Sequence, residues 1–148
     1  MTKHASDSSE QQTAVAYILQ ALALKRGFMF CGDNKLPIDL GVKPDAIDVK
    51  NKVVVEVYAR VGELKGAQLH KVKGDILKLL LIQEHLGENW RKVLCFASED
   101  AAKYAKGKSW VAKAVSTFGI EVEVIELPVD IRENVLGAQK RQIMTNAQ

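Results

Sequence analysis

The sequence predicts a single α/β domain with a mixed central sheet flanked by helices, and three observations carry that expectation. After residue 63, short β-branched runs alternate with helical stripes, which requires crossover connections and parallel pairing. Before it, Asp45 to Val49 and Lys52 to Ala59 flank Lys50-Asn51 as a tight hairpin, which adds an antiparallel pair. The chain has 148 residues, 47% hydrophobic and 26% charged, enough to bury a core without disulfide or metal staples.

Each element has its own signal. Residues 1–9 are small and polar and are expected to form a frayed, disordered tail ahead of a domain over 10–148. Ser8-Ser9 reads as a cap for a helix on which Ala14, Val15, Ile18, Leu19, Leu22 and Ala23 recur at helical spacing, ending near Gly27. Phe28 to Cys31 is a strand candidate, followed by an irregular segment punctuated by Gly32, Pro37, Gly41 and Pro44. The hairpin comes next. From Glu63 to Leu86, the residues Leu69, Val72, Ile76, Leu79 and Leu80 fall on one stripe, so a long helix is expected, stopped by Gly87. Lys92 to Ala97 reads as a buried strand, Ser98 to Phe118 as a helix with Trp110 and Val111 in the core, Ile120 to Leu127 as a strand, and the residues after Pro128 as a closing helix.

Charge and composition remove several function classes. No run approaches the roughly eighteen apolar residues of a membrane span, and the first nine residues lack the apolar core of a signal peptide, so a cytoplasmic protein with no membrane partner is expected. Cys31 and Cys95 both sit in apolar runs, as buried thiols in a reducing compartment do. His4, His70 and His85 are scattered, no glycine-rich phosphate loop follows a strand, and no nucleophile elbow is present. The net charge is +3, and the excess lies entirely in the first half: residues 1–74 hold 11 basic and 8 acidic side chains, residues 75–148 hold 10 of each. Arg60, Lys65, Lys71 and Lys73, with His70, make a local basic patch that is either a polyanion-steering surface or a solvated helix face. Arg132, Lys140 and Arg141 on the closing helix have the same two readings.

The chemistry concentrates in the hairpin. With a turn at Lys50-Asn51, Ile47 faces Val54, Ala46 faces Val55 and Asp45 faces Glu56, which sets two carboxylates on one sheet face about 5 Å apart. Such a pair repels unless a cation lies between its members, and hard oxygen ligands suit Mg²⁺ or Mn²⁺. Glu56 also stands inside the apolar run Val53 to Tyr58, where a carboxylate needs a partner. Gln68, Lys71 and Asp75 share a flank of the following helix beside its sheet-facing stripe.

Pro44-Asp45, the hairpin, and Glu56-Val57-Tyr58 in an apolar strand, bracketed by helices and followed by a further strand, resemble the PD-(D/E)XK nuclease superfamily over residues 10–126. The resemblance implies a restriction-endonuclease-like αβββαβ core. It also implies a metal site of Asp45 and Glu56 with the main-chain carbonyl of Val57, and Mg²⁺ or Mn²⁺ as cofactor. The sequence departs from the motif at Tyr58, which stands where the family places a lysine. Members that supply this lysine from the next helix point to Lys71, Lys65 or Lys73 here, with Gln68 as the polar helix residue near the metal; Arg60 has the same strand parity as Glu56. The implied function is a metal-dependent DNA nuclease, with a homodimer as the form that cuts both strands. Its alternative is an inactive nucleic-acid-binding or assembly module on the same fold, and a weaker third reading is a structural partner protein.

Overall fold

The structure, a computed structural model, describes residues 5–146, with side chains over 9–144. Its elements run α1 (Ala5–Arg26), β1 (Ala46–Asp48), β2 (Val53–Tyr58), α2 (Ala67–Leu86), β3 (Arg91–Phe96), α3 (Glu99–Lys106), α4 (Trp110–Thr117), β4 (Glu121–Val124) and α5 (Val129–Asn146). The sheet order is β1-β2-β3-β4, antiparallel between β1 and β2 and parallel across the rest, so the mixed α/β architecture is as the sequence predicts. No helix among the described residues is long and apolar enough to cross a membrane.

Alternation along the central strands divides the core in two. Val54 and Tyr58 of β2 and Leu94 and Phe96 of β3 face one side, where they meet Leu79 of α2, Ala102 of α3 and Val111 of α4. Val53, Val55 and Val57, with Val93 and Cys95, face the other, under Ala14, Ile18 and Leu22 of α1 and Val135 of α5. Helices therefore cover both faces of β2 and β3, which explains why those strands, Glu56, Arg91 and Lys92 apart, run apolar rather than alternating. Cys95 lies fully buried in the second layer, where desolvation pushes its thiol up to about 12, and both cysteines are free.

Five expectations need correction. Phe28 to Cys31 forms no strand: Cys31 N–H donates to Ile47 O at 2.8 Å, but Met29 N–H donates to the Asp48 carboxylate at 2.7 Å, so a side chain intercepts the donor that a ladder would need. The first strand of the expected αβββαβ order is thus a single bridging bond. The long helix expected from Ser98 to Phe118 breaks into α3 and α4, because Ser109 Oγ accepts from Ala112 N–H and starts a new helix after Gly107. Trp110, placed in the core by its apolar neighbours, is 69% exposed, while Val111 is buried. At the amino end, α1 starts ahead of Ser8-Ser9, so residues 5–9 are helical; the rest of the expected tail, residues 1–4, lies outside the described residues. Finally, α2 begins at Ala67 instead of Glu63, since Gly62 and Gly66 take φ of 91° and 55°, backbone that a helix cannot include.

The hairpin keeps its predicted register, Ala46 with Val55, Ile47 with Val54 and Asp48 with Val53. Its turn is wider than two residues, spanning Val49 to Lys52, with Lys52 at φ 58°. Asp48 holds it by accepting from Asn51 N–H at 3.0 Å and from Asn51 Nδ2 at 2.6 Å. Burial alone would raise the Asp48 carboxyl; the bonds from Met29 and Asn51 outweigh it and hold the group below its ordinary value.

Candidate active site

The register carries Asp45 to the position opposite Glu56, and the two acids are interlocked with the main chain. Asp45 Oδ2 accepts from Val57 N–H at 2.7 Å, and Glu56 Oε2 accepts from Asp45 N–H at 3.3 Å. Asn34 Nδ2 donates to Asp45 O at 2.8 Å and ties the irregular segment to this point. Glu56 is 1% exposed, and its other oxygen, Oε1, lies 3.1 Å from Lys78 Nζ. That ammonium also donates to Lys43 O at 3.0 Å and stands 3.8 Å from Asp75 Oδ1.

Asp75 is the centre of a second group. Its Oδ2 accepts from the Tyr58 hydroxyl at 2.7 Å and from Lys71 Nζ at 2.7 Å. The Tyr58 ring stacks on Phe96 with centroids 4.7 Å apart and planes at 15°, and Lys71 Nζ lies 4.6 Å from its centroid. Gln68, Lys71, Asp75 and Lys78 follow one another on α2 at steps of three, four and three, so one flank of the helix delivers them all. The same turn-by-turn register buries Val72, Ile76 and Leu79 against the sheet.

Three carboxylates therefore meet two ammoniums. Burial, then the charges of Asp45 and Asp75, push the Glu56 carboxyl up from the ordinary 4.5 to about 7, with Lys78 pulling the other way. Burial and the Asp75 carboxylate push the Tyr58 phenol far above its ordinary value, so it stays protonated and donates.

Beside this group opens a cleft of about 410 Å³, lined among others by Asp45, Val57, Tyr58, Arg60, Gln68 and Lys71. Among the residues singled out by sequence, Asp45, Val57, Gln68, Lys71 and Arg60 are thus brought to one place. Glu56 sits directly behind them, bonded to Asp45 N–H. Lys65 lies on the exposed turn before α2 and pairs with no carboxylate among the described residues. Lys73 points to the Trp110 ring, 5.5 Å from its centroid. Lys78 was not singled out by sequence, yet it is the next residue on the flank of Gln68, Lys71 and Asp75, and extending that step by one would have found it.

Asp45 offers a hard oxygen ligand to the cleft, whereas Glu56 would have to release Asp45 N–H or Lys78 to share a divalent cation with it. Asp45 lines the cleft and its Oδ1 has no hydrogen bond among the described residues, while Asp75 is committed to Tyr58 and Lys71. No group of three or more His, Cys, Asp or Glu side chains is arranged to hold a metal among the described residues. No family model, curated protein or solved structure matches the chain.

Proposed function

We propose that the chain is a metal-dependent nuclease of restriction-endonuclease-like architecture, acting on DNA phosphodiester bonds. The observation that carries the reading is the ammonium of Lys78 at 3.1 Å from the buried Glu56, with Lys71 beside it at the cleft: α2 supplies two cations next to an acidic pair whose own strand carries Tyr58 in place of a lysine. Asp45 and Glu56 would hold Mg²⁺ or Mn²⁺, with the Val57 carbonyl as a further ligand. A divalent ion so bound lowers the pKa of a coordinated water and offsets negative charge on a phosphate.

The chain's own residues do the rest. Lys78 favours the ionised form of Glu56 against burial and its acidic neighbours. Lys71, half-exposed at the cleft, meets charge that grows on the phosphate oxygens during displacement, where an ammonium contributes most. Tyr58 is a positioning residue: its hydroxyl fixes Asp75, and Asp75 fixes Lys71. A homodimer would present two such sites, one for each strand of a duplex.

Incubating the protein with plasmid and oligonucleotide DNA in Mg²⁺ or Mn²⁺ tests this. Cleavage is expected for the wild type and lost in Asp45→Asn and Glu56→Gln, and Lys71→Ala should slow it by roughly 10²- to 10³-fold, as removal of one charge-stabilising donor does. One observation favours a second reading, an inactive nucleic-acid-binding module: Glu56 is buried with both oxygens engaged, one by Asp45 N–H and one by Lys78. A wild type inert with both ions, whose melting temperature ignores both, while it still binds DNA, would select that module and overturn the nuclease.

A further inference from the structure

We infer that Arg60 is a binding residue for a backbone phosphate of a nucleic-acid strand lying in the cleft, next to the phosphate positioned at Asp45; the inference rests on the nuclease reading and deepens it. Arg26, Arg91, Arg132 and Arg141 each pair with a carboxylate, whereas Arg60 has no such partner among the described residues. Its Nε is buried with no hydrogen-bond partner, and no other buried side-chain nitrogen or oxygen among the described residues is left in that state. A buried donor without an acceptor is costly, and it persists where a ligand supplies the acceptor.

The surroundings fix the main chain on either side of Arg60. Val61, the next residue, has its N–H bonded to Gln139 Oε1 at 2.9 Å and its carbonyl to Gln139 Nε2 at 3.1 Å, so one amide from α5 clamps the main chain in both senses. Gly62 N–H reaches Ser98 Oγ at 3.3 Å, and on the other side Tyr58 O accepts from Ala97 N–H at 3.1 Å. The Arg60 main chain is therefore fixed from both flanks, and a guanidinium carries a planar fork that suits two oxygens of one phosphate.

Chemistry and distance select the ligand. Arg60 and Lys71 bring two cations to a cleft with one carboxylate, Asp45, on its lining, which favours an anion away from the acid. Arg60 lies four positions beyond Glu56, at most about 14 Å along the chain. A neighbouring phosphate of the same strand falls within that reach. Gln68, which lines the same cleft, offers an uncharged amide suited to sugar or base edges.

The test is fluorescence anisotropy of labelled single-stranded and duplex DNA oligonucleotides without divalent metal, at several salt concentrations, for wild type, Arg60→Gln, Arg60→Lys and Asp45→Asn, each first shown to melt like the folded wild type. Arg60→Gln is expected to bind about tenfold more weakly and to lower the log–log salt slope by about one. Arg60→Lys should keep the slope and recover part of the affinity, since it keeps the charge and loses the fork. Asp45→Asn should bind at least as tightly as wild type. Inorganic phosphate should displace the oligonucleotide only at concentrations far above the oligonucleotide's own; displacement at comparable concentrations would make the ligand a free phosphate and overturn the strand assignment. Arg60→Gln with wild-type affinity and slope, or a wild type that binds neither oligonucleotide, overturns the inference. Cleavage that depends on Asp45 while Arg60→Gln binds normally would remove this subsite and leave the nuclease standing. Arg60-dependent binding with no cleavage in any metal would do the reverse.

Discussion

Replacing Lys78 with Met tests whether the helix ammonium is the partner that keeps Glu56 ionised, because methionine keeps most of the apolar stem and removes the charge. In the wild type Glu56 is 1% exposed, faces Asp45 and Asp75, and has Lys78 Nζ at 3.1 Å. Removing one member of a buried pair costs about 3–5 kcal/mol when the remaining charge cannot escape. Here it can escape by taking up a proton, so the cost depends on pH. The Glu56 carboxyl titrates at about 7 in the folded protein against an ordinary 4.5, so the unfolded chain releases this proton first and stability falls as pH rises between those values. Lys78→Met pushes the folded value higher still and extends the falling limb upward. At pH 8 we therefore expect a loss of about 3 kcal/mol, or about 6–12 °C in Tm for a chain of this size. At pH 5, where Glu56 is protonated in both proteins, the loss should shrink to about 1 kcal/mol or less, the value of lost packing alone. Urea and thermal unfolding from pH 5 to pH 9 measure this for wild type, Lys78→Met, Glu56→Gln and the double variant, and the cycle isolates the coupling. A Lys78→Met penalty that is the same at both ends of the range, or below about 0.5 kcal/mol at pH 8, would refute the assignment of Lys78 as the partner of Glu56.

Two further outcomes follow from other bonds. Tyr58→Phe keeps the stack on Phe96 but leaves Asp75 without a hydroxyl donor, so urea unfolding should show a loss of about 1–3 kcal/mol, and cleavage should slow because Lys71 loses a fixed partner. Asp48→Asn should flatten the acid limb of the stability curve: the Asp48 carboxyl is held below its ordinary value, so its contribution is present above the unfolded value and lost as pH falls through the folded one, and melts between pH 2 and pH 6 would show whether the wild-type slope depends on it.

Much of this arrangement was legible in the sequence wherever a period or a register determined it. The pairing of Asp45 with Glu56 follows from counting outward from a turn, and the count survives although the turn is four residues wide, since widening it symmetrically leaves every pair unchanged. The buried stripe of α2 follows from its 3.6-residue period. Features set by long-range competition for hydrogen bonds were not legible. Whether Phe28 to Cys31 pairs as a strand depends on the destination of Met29 N–H, which a carboxylate nineteen residues away captures. Trp110 shows the same limit for packing: an apolar neighbourhood in sequence places Val111 inward, and the adjacent residue on a helix then points elsewhere, here beneath Lys73. Lys78 was missed for a different reason. A lysine between Leu77 and Leu79 reads as a solvated helix position, and the carboxylates that draw it inward come from β2 and from its own helix one turn back.

Tyr58 decides what holds the site together. A lysine there would bring its charge on β2 itself, fixed to Glu56 by two residues of strand geometry. With Tyr58, both nearby ammoniums arrive from α2, and their positions depend on how that helix seats against the sheet. Val72, Ile76 and Leu79 set that seating, all buried and facing Tyr58, Leu94 and their neighbours in one layer. Tyr58 takes part in it twice, through its stack on Phe96 and through its bond to Asp75. The Tyr58 ring thus anchors the helix that carries both ammoniums. Packing and electrostatics share the same residues here, and a cavity opened beneath α2 displaces the cations together with the core.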